Sequence, residues 1–336
     1  MKLAIVILNW NGLGMMRRFL PGIVEHSPQG KVIVADNAST DGSVEWLKAE
    51  MPEVGLLQLD RNYGFAGGYN RALRQVDADL YLILNSDVEV RMGWLDAMLA
   101  FMDAHPEVAA CQPKLLCQWS PNDFEYAGAA GGFVDRLGYP FCRGRMFGTL
   151  ESDEGQYDQV LPCLWATGAC LLVRSRDFWQ VGGFDERFFA HQEEIDLCWR
   201  LRARGRGVVC VPHSVAYHLG GGTLPQGNPR KTFLNFRNNL LLLYKNLPEE
   251  DLPGVMRWRF WLDALASVQF LLTGQWGSFR AVWQGRKAFH RMKDDFKADR
   301  RRNLQESVCN PLEGAPRSIL YQYYIKGRKK WSQLSI

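Results

Sequence analysis

No apolar stretch in this 336-residue chain reaches the roughly 18 residues that a membrane-spanning helix needs. The longest candidate, at residues 262–272, is interrupted by Asp263, Ser267 and Gln269. A signal peptide is not expected, because the apolar run at residues 3–8 is short and gives way to "NWNG". Eight cysteines are present without a Cys-x-x-Cys pair. In a chain this long they read as buried thiols of a reducing compartment, not as a disulfide framework or zinc site. No Gly-x-Gly-x-x-Gly follows the first apolar run, which removes the dinucleotide fingerprint. A Walker loop and the Gly-x-Ser-x-Gly elbow of hydrolases are missing too. Gln-x-x-Arg-Trp, the signature of processive polysaccharide synthases, does not occur; "GVMRW" carries Gly254 in its place.

Charge is present but uneven. The formal net charge is +4. Residues 285–336 hold 13 Lys and Arg against 5 Asp and Glu, or +8, so the remainder is −4. A tail that basic suggests an anionic partner, either nucleic acid or a lipid surface. The Trp residues just ahead of it keep helical spacing (Trp258, Trp261, Leu262, Leu265, then Trp276, Phe279, Trp283). That fits a helix face better than a base-stacking platform, and nucleic acid is not expected. An anionic membrane surface is one reading of this face; packing onto the rest of the protein is the other.

The first part of the chain alternates. Apolar runs at 3–8, 32–35, 54–59, 80–84 and 108–110 read as strands, the first four apolar on both faces as buried parallel strands are. Amphipathic patterns lie between them. "DGSVEWLKAEM" has Asp41 placed to cap a helix whose stripe is Val44, Leu47 and Met51. "MGWLDAMLAFMDAH" puts Trp94, Leu95, Met98, Phe101 and Met102 on one face. The fold class expected is α/β, a mostly parallel sheet wound with right-handed crossovers and followed by a helical extension. Residues 1–115 and 116–225 read as two halves of one domain, and 226–336 as the extension. Ligands of such sheets sit beyond the carboxyl ends of the strands, and here those ends are "NWNG", "ADNASTDGS", "LDRNYGFAGGYN" and "LNSDVE".

Each strand end offers chemistry and a plainer role. Asp36 can accept a hydrogen bond from the imide N–H of a uracil or thymine, or simply support its turn. Gly64, Gly67 and Gly68 let backbone approach a ligand just ahead of a helix, whose N-terminus favours anions, or they only form a turn. Asn85-Ser86-Asp87 presents oxygen ligands to a hard divalent cation, or ends a strand. Glu193, Glu194 and Asp196 occupy the first turn of a helix, where acids suit the dipole. The aromatic "FFAHQ" before them suggests a pocket that could raise one carboxyl into the range of a general base. His218, ahead of "LGGG", can hold a metal or phosphate, or be structural. Arg237, Asn238 and Asn239 precede an apolar helical run.

Taken in order, "VILNWNG", "VADNASTDGS", "NYGFAGGYN", "LNSDVEV", "TGACLLVR", "GGFDERFF", "EEIDLCWRL" and His-x-Gly-Gly resemble the family 2 glycosyltransferases, in their rhamnosyltransferase-like, non-processive branch. The resemblance covers roughly residues 1–245. It implies a GT-A fold and an inverting transfer from a nucleotide-diphosphate sugar, UDP- or dTDP-linked, to a saccharide or lipid-linked glycan of cell-surface polysaccharide synthesis. The nucleotide sugar would be held by Asn9, Asn11, Asp36, Asn62, Gly64, Gly67, Asn85, Ser86 and Asp87. Mg²⁺ or Mn²⁺ would sit on Asp87 with His218. Glu194 would be the catalytic base, with Glu193 its rival. Thr167, Gly168, Asp196 and Arg237 would contact acceptor or phosphate. The chain departs from the family pattern twice: Asn85 replaces the first Asp of the metal motif, and Glu194 stands where an Asp is usual. Those departures leave a non-catalytic nucleotide-sugar-binding or scaffold protein as the alternative. A sugar nucleotidyltransferase is disfavoured, since no basic residue precedes Arg17 after the first strand. The expected location is the cytoplasm, peripheral on the inner face of the cell membrane.

Overall fold

A computed structural model describes residues 1–220 and 227–334. In chain order the first third is β1 (Leu3–Asn9), α1 (Leu13–Glu25), β2 (Lys31–Asp36), α2 (Ser43–Glu50), β3 (Gly55–Gln58), α3 (Gly64–Leu73), β4 (Leu80–Leu84), β5 (Val88–Glu89), α4 (Asp96–Ala104) and β6 (Val108–Cys117). Four short strands follow: β7 (Gly132–Val134), β8 (Pro140–Cys142), β9 (Arg145–Met146) and β10 (Thr149–Leu150). Next come β11 (Leu161–Pro162), β12 (Cys170–Arg174), α5 (Ser175–Gln180), α6 (Glu193–Ala203) and β13 (Gly207–His218). The last part is helical: α7 (Pro229–Asn246), α8 (Leu252–Leu272), α9 (Trp276–Met292) and α10 (Lys297–Gln305).

One nine-stranded sheet carries the fold in the order β11-β13-β6-β12-β4-β1-β2-β3, with β5 also paired to β13. β4, β1, β2 and β3 run parallel, as do β13 and β6; β12 is antiparallel to both β4 and β6. Side chains alternate across a strand, and β1 shows it. Leu3, Ile5 and Ile7 join a core with Met16, Phe19, Leu20 and Ile23 of α1. Ala4 and Val6 join another with Ala66, Tyr69, Ala72 and Leu73 of α3. Burying each larger side chain contributes about 1.5–3 kcal/mol. The expected divide at 115/116 falls inside β6, and strands from both sides share the sheet. The divide at 225/226 lies outside the described residues.

Three local expectations are corrected. Asp41 does not cap α2 from the cap position, which Gly42 takes at φ +84°. It sits one residue earlier, accepting from Ser43 N at 3.1 Å and from Leu13 N at 2.9 Å, so it ties the starts of α1 and α2 together. The glycines of "NYGFAGGYN" are not in a loop, because α3 begins at Gly64. Arg237, Asn238 and Asn239 do not precede a helix; α7 starts at Pro229, capped by Asn228, and they lie in its middle.

Two buried ionic knots hold the helices. Asp196 of α6 is wholly buried and pairs with Arg200 and Lys245, both at 2.8 Å, while accepting from Asn246 at 2.8 Å. Lys245 also pairs with Asp185 at 2.8 Å. In α8, Asp263 is wholly buried between Arg259 of its own helix and Arg286 of α9, at 3.2 and 2.5 Å. Arg259 also donates to Asn239 of α7 and to the Leu137 carbonyl. The inward face of α8 is therefore polar, and Trp258, Trp261 and Leu265 of the expected stripe point outward.

Removing one partner of a buried ion pair leaves the others uncompensated, at a cost of roughly 3–5 kcal/mol. Asp196→Ala is therefore expected to lower the urea unfolding free energy by about that amount, whereas Asp294→Ala, at an exposed pair with Lys297, leaves it unchanged within error. Equal effects of the two variants would contradict the anchoring role given to Asp196.

Candidate active site

Asp87 and His218 meet because β5 pairs with the end of β13. That antiparallel register sets Val88 opposite His218. His218 Nε2 lies 3.1 Å from Asp87 Oδ1, and Nδ1 lies 3.2 Å from Glu125 Oε2. All three residues are buried. Burial alone would lower the imidazole pKa, but the two carboxylates outweigh it and push it up to about 10. Asn85 Nδ2 stands 3.4 Å from the same Nε2. Glu125 was not legible in the sequence. It lies in an irregular segment, and only the return of β13 brings His218 to it.

The same rim continues at the ends of β1 and β2, which run parallel to β4. Asp36 is buried; its Oδ1 accepts from Asn9 at 3.0 Å and its Oδ2 from Ser39 N at 2.9 Å. An ionised carboxylate has about four acceptor positions, so this turn support leaves room for a further donor. Asn11 is exposed, with φ +51°, and accepts from Thr40 N at 2.7 Å. Ser86 stands at this rim, its Oγ 3.8 Å from where a Cβ on Gly12 would lie. Asn37, unremarked in the sequence, donates to Asn62 and to the Gly64 carbonyl at 3.1 Å and accepts from Tyr63 N at 2.9 Å. It therefore fixes the turn that carries Asn62.

The start of α3 does not present free donors to an anion. Phe65 N and Ala66 N both donate to the Phe189 carbonyl, at 2.8 and 3.3 Å. Gly64, at φ +71°, is needed for this grip, since a Cβ there would sit 2.7 Å from that same oxygen. Gly67 is buried in α3 against Tyr63 and Arg71. It serves helix packing there, where a Cβ would lie 3.1 Å from Tyr63 and 3.2 Å from Arg71.

The loop that α3 grips leads to the acids. Phe189 (φ +67°, ψ −59°) forms a tight γ-turn closed by Ala190 N to the Phe188 carbonyl at 2.8 Å. His191 and Gln192 follow at φ +70° and +75°. Such non-glycine conformations cost on the order of 1–3 kcal/mol each and persist only where surroundings impose them. Here α7 does so. Asn238 Nδ2 lies 2.7–3.0 Å from the carbonyls of Phe188, Ala190 and His191. Arg237 donates to the Phe188 carbonyl at 2.9 Å, and Asn239 to Gln192 at 3.2 Å. Arg237 thus holds the loop, which differs from its expected contact with acceptor or phosphate.

Glu193 and Glu194 open α6 directly after this loop. Glu193 is buried and Glu194 partly exposed, and each leaves its Oε2 without a protein partner. Burial pushes the Glu194 carboxyl up to about 7; burial and the neighbouring Glu194 push Glu193 well above the ordinary carboxyl range. Gly168 lies between Phe65 and Glu194, where a Cβ would be 3.2 and 3.7 Å from them. Thr167 is buried, its N donating to Gln112 at 2.9 Å and its Oγ1 accepting from Ala169 N at 3.2 Å. Asn85 N donates to the Ala169 carbonyl at 2.9 Å, which joins this turn to the Asp87 corner. Asp196 is spent on its knot, so it anchors α6 and has no oxygen free for an acceptor.

Asp87 and His218, hydrogen-bonded at 3.1 Å, could hold a divalent cation only with loss of the proton that the two carboxylates favour on the imidazole. Their facing oxygen and nitrogen are separated by about one edge of an octahedron with bonds near 2.1 Å, and Glu125 stands behind the other imidazole nitrogen, as carboxylates do behind metal-bound histidines. Among the described residues no group of three or more His, Cys, Asp and Glu converges on one point. The protein would supply two ligands, leaving the rest to a diphosphate and water. Gly221 and Gly222 of the expected His-x-Gly-Gly lie outside the described residues.

Comparison with solved structures first defines the class of fold. Residues 1–349 of S. aureus TarS, in complex with UDP-GlcNAc, match at a TM-score of 0.54 over 98% of this chain and 93% of that one, with 14% identity. GalNAc-T7 with UDP, GalNAc and Mn²⁺ matches at 0.57 over 74% and 48%, also with 14% identity. This is the GT-A architecture with a helical carboxyl-terminal region. Residues 4–160 match the model of glycosyl transferase family 2, and the chain belongs to that family. It is similar to the N-acetylglucosaminyl-diphospho-decaprenol L-rhamnosyltransferase of Mycobacterium tuberculosis, 34% identical over 56% of this chain and 66% of the relative. It is also similar to the rhamnosyltransferase WbbL of Escherichia coli, 44% identical over 46% of this chain and 61% of the relative. The matched region thus spans somewhat under two thirds of these relatives.

The raised carboxyl of Glu194 sets a pH dependence of stability. An unfolded Glu titrates near 4.3, so between that value and about 7 the folded chain keeps a proton that the unfolded chain has lost. This contribution is present at low pH and lost as pH rises through about 7. Glu194→Gln is therefore expected to melt at a higher temperature than the parent at pH 8, the difference closing toward pH 4. Equal melting temperatures at pH 8 would show that the carboxyl is not held against ionisation.

Proposed function

We infer that the chain is an inverting, divalent-metal-dependent glycosyltransferase. Its donor would be a nucleotide-diphosphate sugar with UDP or dTDP, and its acceptor a saccharide or lipid-linked glycan in cell-surface polysaccharide synthesis. The observation that carries this reading is Glu194: its carboxyl has no cationic partner, leaves Oε2 unbonded and is raised to about 7, and it stands beside Gly168, in the turn whose Ala169 carbonyl accepts from Asn85 N. The relatives support the acceptor class, one being named for a diphospho-decaprenol substrate. With such an acceptor the protein works peripherally on the inner face of the cell membrane. No helix of the described residues is long and apolar enough to cross it.

In this reading Asp36 receives the imide N–H of the base, with Asn9 and Asn62 shaping its pocket. Asn85, Ser86 and Asp87 face the diphosphate. A cation on Asp87 and His218 would neutralise charge developing on the leaving diphosphate. Glu194 takes the proton of the acceptor hydroxyl as that oxygen bonds to the anomeric carbon and the bond to the diphosphate breaks. A base with a pKa near 7 is close to the optimum for proton transfer at neutral pH.

A thermal-shift panel of UDP, dTDP and GDP, each with and without Mn²⁺, tests the donor site. One nucleotide should stabilise the protein, by about 2.7 kcal/mol at a hundred times its Kd. Mn²⁺ should strengthen the effect and Asp87→Ala should abolish it. Glu194→Gln should keep the shift but lose about 10²–10⁴ in turnover. No response to any nucleotide favours the scaffold reading, and near-normal turnover of Glu194→Gln removes the base assignment.

A further inference from the structure

Helix α8 is turned inside out. Its buried face is Arg259, Asp263 and Ser267, held by the ionic knot with Arg286 and Asn239. Its outward face carries Trp258, Trp261, Leu265, Val268 and Leu272, with Trp276 following at the start of α9. Trp258, Trp261 and Leu265 are 63%, 64% and 66% exposed, and Leu272 is 82% exposed. Soluble proteins seldom expose contiguous apolar surface of this kind without a partner.

The charges around this face say what the partner is. Between Asp251 and Asp294 the chain contains one acid, Asp263, and it is wholly buried. The exposed ionised side chains of that stretch are Arg257, Arg280, Lys287, Arg291 and the partly exposed Lys293. A two-fold contact between copies would set this all-cationic surface against itself. An anionic lipid surface complements it, and Trp among Arg and Lys is the composition of interfacial helices.

The face also adjoins the loop that places Glu194. A Cβ on Gly277 of α9 would meet Pro229 at 2.6 Å, and Ser278 Oγ lies 3.4 Å from Thr232 Oγ1. Arg230, the residue after Pro229, holds its guanidinium 5.6 Å from the ring centre of Phe189, the γ-turn residue of the loop that places Glu194. We propose that the outward face of the α8–α9 hairpin seats in the interface of an anionic bilayer and holds the acceptor mouth against that surface. The seating rests on the surface alone; its use in delivering a lipid-linked acceptor rests on the transferase reading.

The test is cosedimentation of the full chain with vesicles of phosphatidylcholine, with and without phosphatidylglycerol. The parent is expected to pellet with the anionic vesicles. Trp258→Ser/Trp261→Ser/Leu265→Ser, all exposed positions, should bind at least about ten-fold more weakly. Arg257→Gln/Arg280→Gln should reduce the preference for phosphatidylglycerol. Equal pelleting of parent and triple variant, or no pelleting of either, overturns the proposal. So does a parent dimer that the triple variant makes monomeric, which would make the face a self-contact. The nucleotide thermal shift, run in parallel, should be the same in parent and variants; its absence from all of them would sink the transferase reading while leaving the vesicle result standing.

Discussion

Asp196 and Glu194 share the first turn of one helix and have opposite fates. Asp196 is enclosed by Arg200, Lys245 and Asn246, which outweigh its burial and lower its pKa. Glu194 has no cationic partner and its pKa rises. The paired acid fixes α6 to α7 and to the segment carrying Asp185, so the unpaired one can be held at the cleft without being neutralised by a neighbour. A basic carboxylate needs desolvation, and desolvation without pairing costs stability. The knot around Asp196 and the three-carbonyl clamp of Asn238 offset that cost close to where it arises.

The two sides of the cleft are built by different means. The side with Asp36 and Asp87 follows from strand ends of a wound sheet, where short turns carry polar groups past a buried core. The side with Glu194 depends on chain segments far apart in sequence. Phe189 is gripped by the start of α3 from one side and by α7 from the other. Glu125 meets His218 only because β13 runs the length of β6 within the sheet and ends at His218. The hairpin α8–α9 attaches to the second side, so a surface that binds it would bear on the acceptor and not on the nucleotide.

This division explains what was legible in the sequence. Apolar runs ending in Asn, Asp and Gly located β1, β2 and β4 and set Asp36 and Asp87 at one rim, because a strand's two buried faces and its polar tip are local facts. Asp196, Arg237 and Gly67 read in the sequence as ligand-binding residues, and in the structure each makes close protein contacts. Each is a polar or small residue near the right motif, and only tertiary partners reveal that it is spent on a knot, a loop clamp or a helix contact. Glu125 and Asn37 left no periodic signal. The stripe of α8 was visible as spacing, but spacing shows that a helix has two faces and not which of them turns inward. Buried Asp263 decides that.

The central claim is that a carboxyl raised to about 7 at Glu194 is the base of the transfer. The most direct measurement is the pH dependence of kcat at saturating donor, acceptor and Mn²⁺. The expected profile rises with pH to a plateau through an apparent pKa near 7, and that limb disappears from the residual rate of Glu194→Gln. A flat profile, or a limb that persists unchanged in Glu194→Gln, would contradict it.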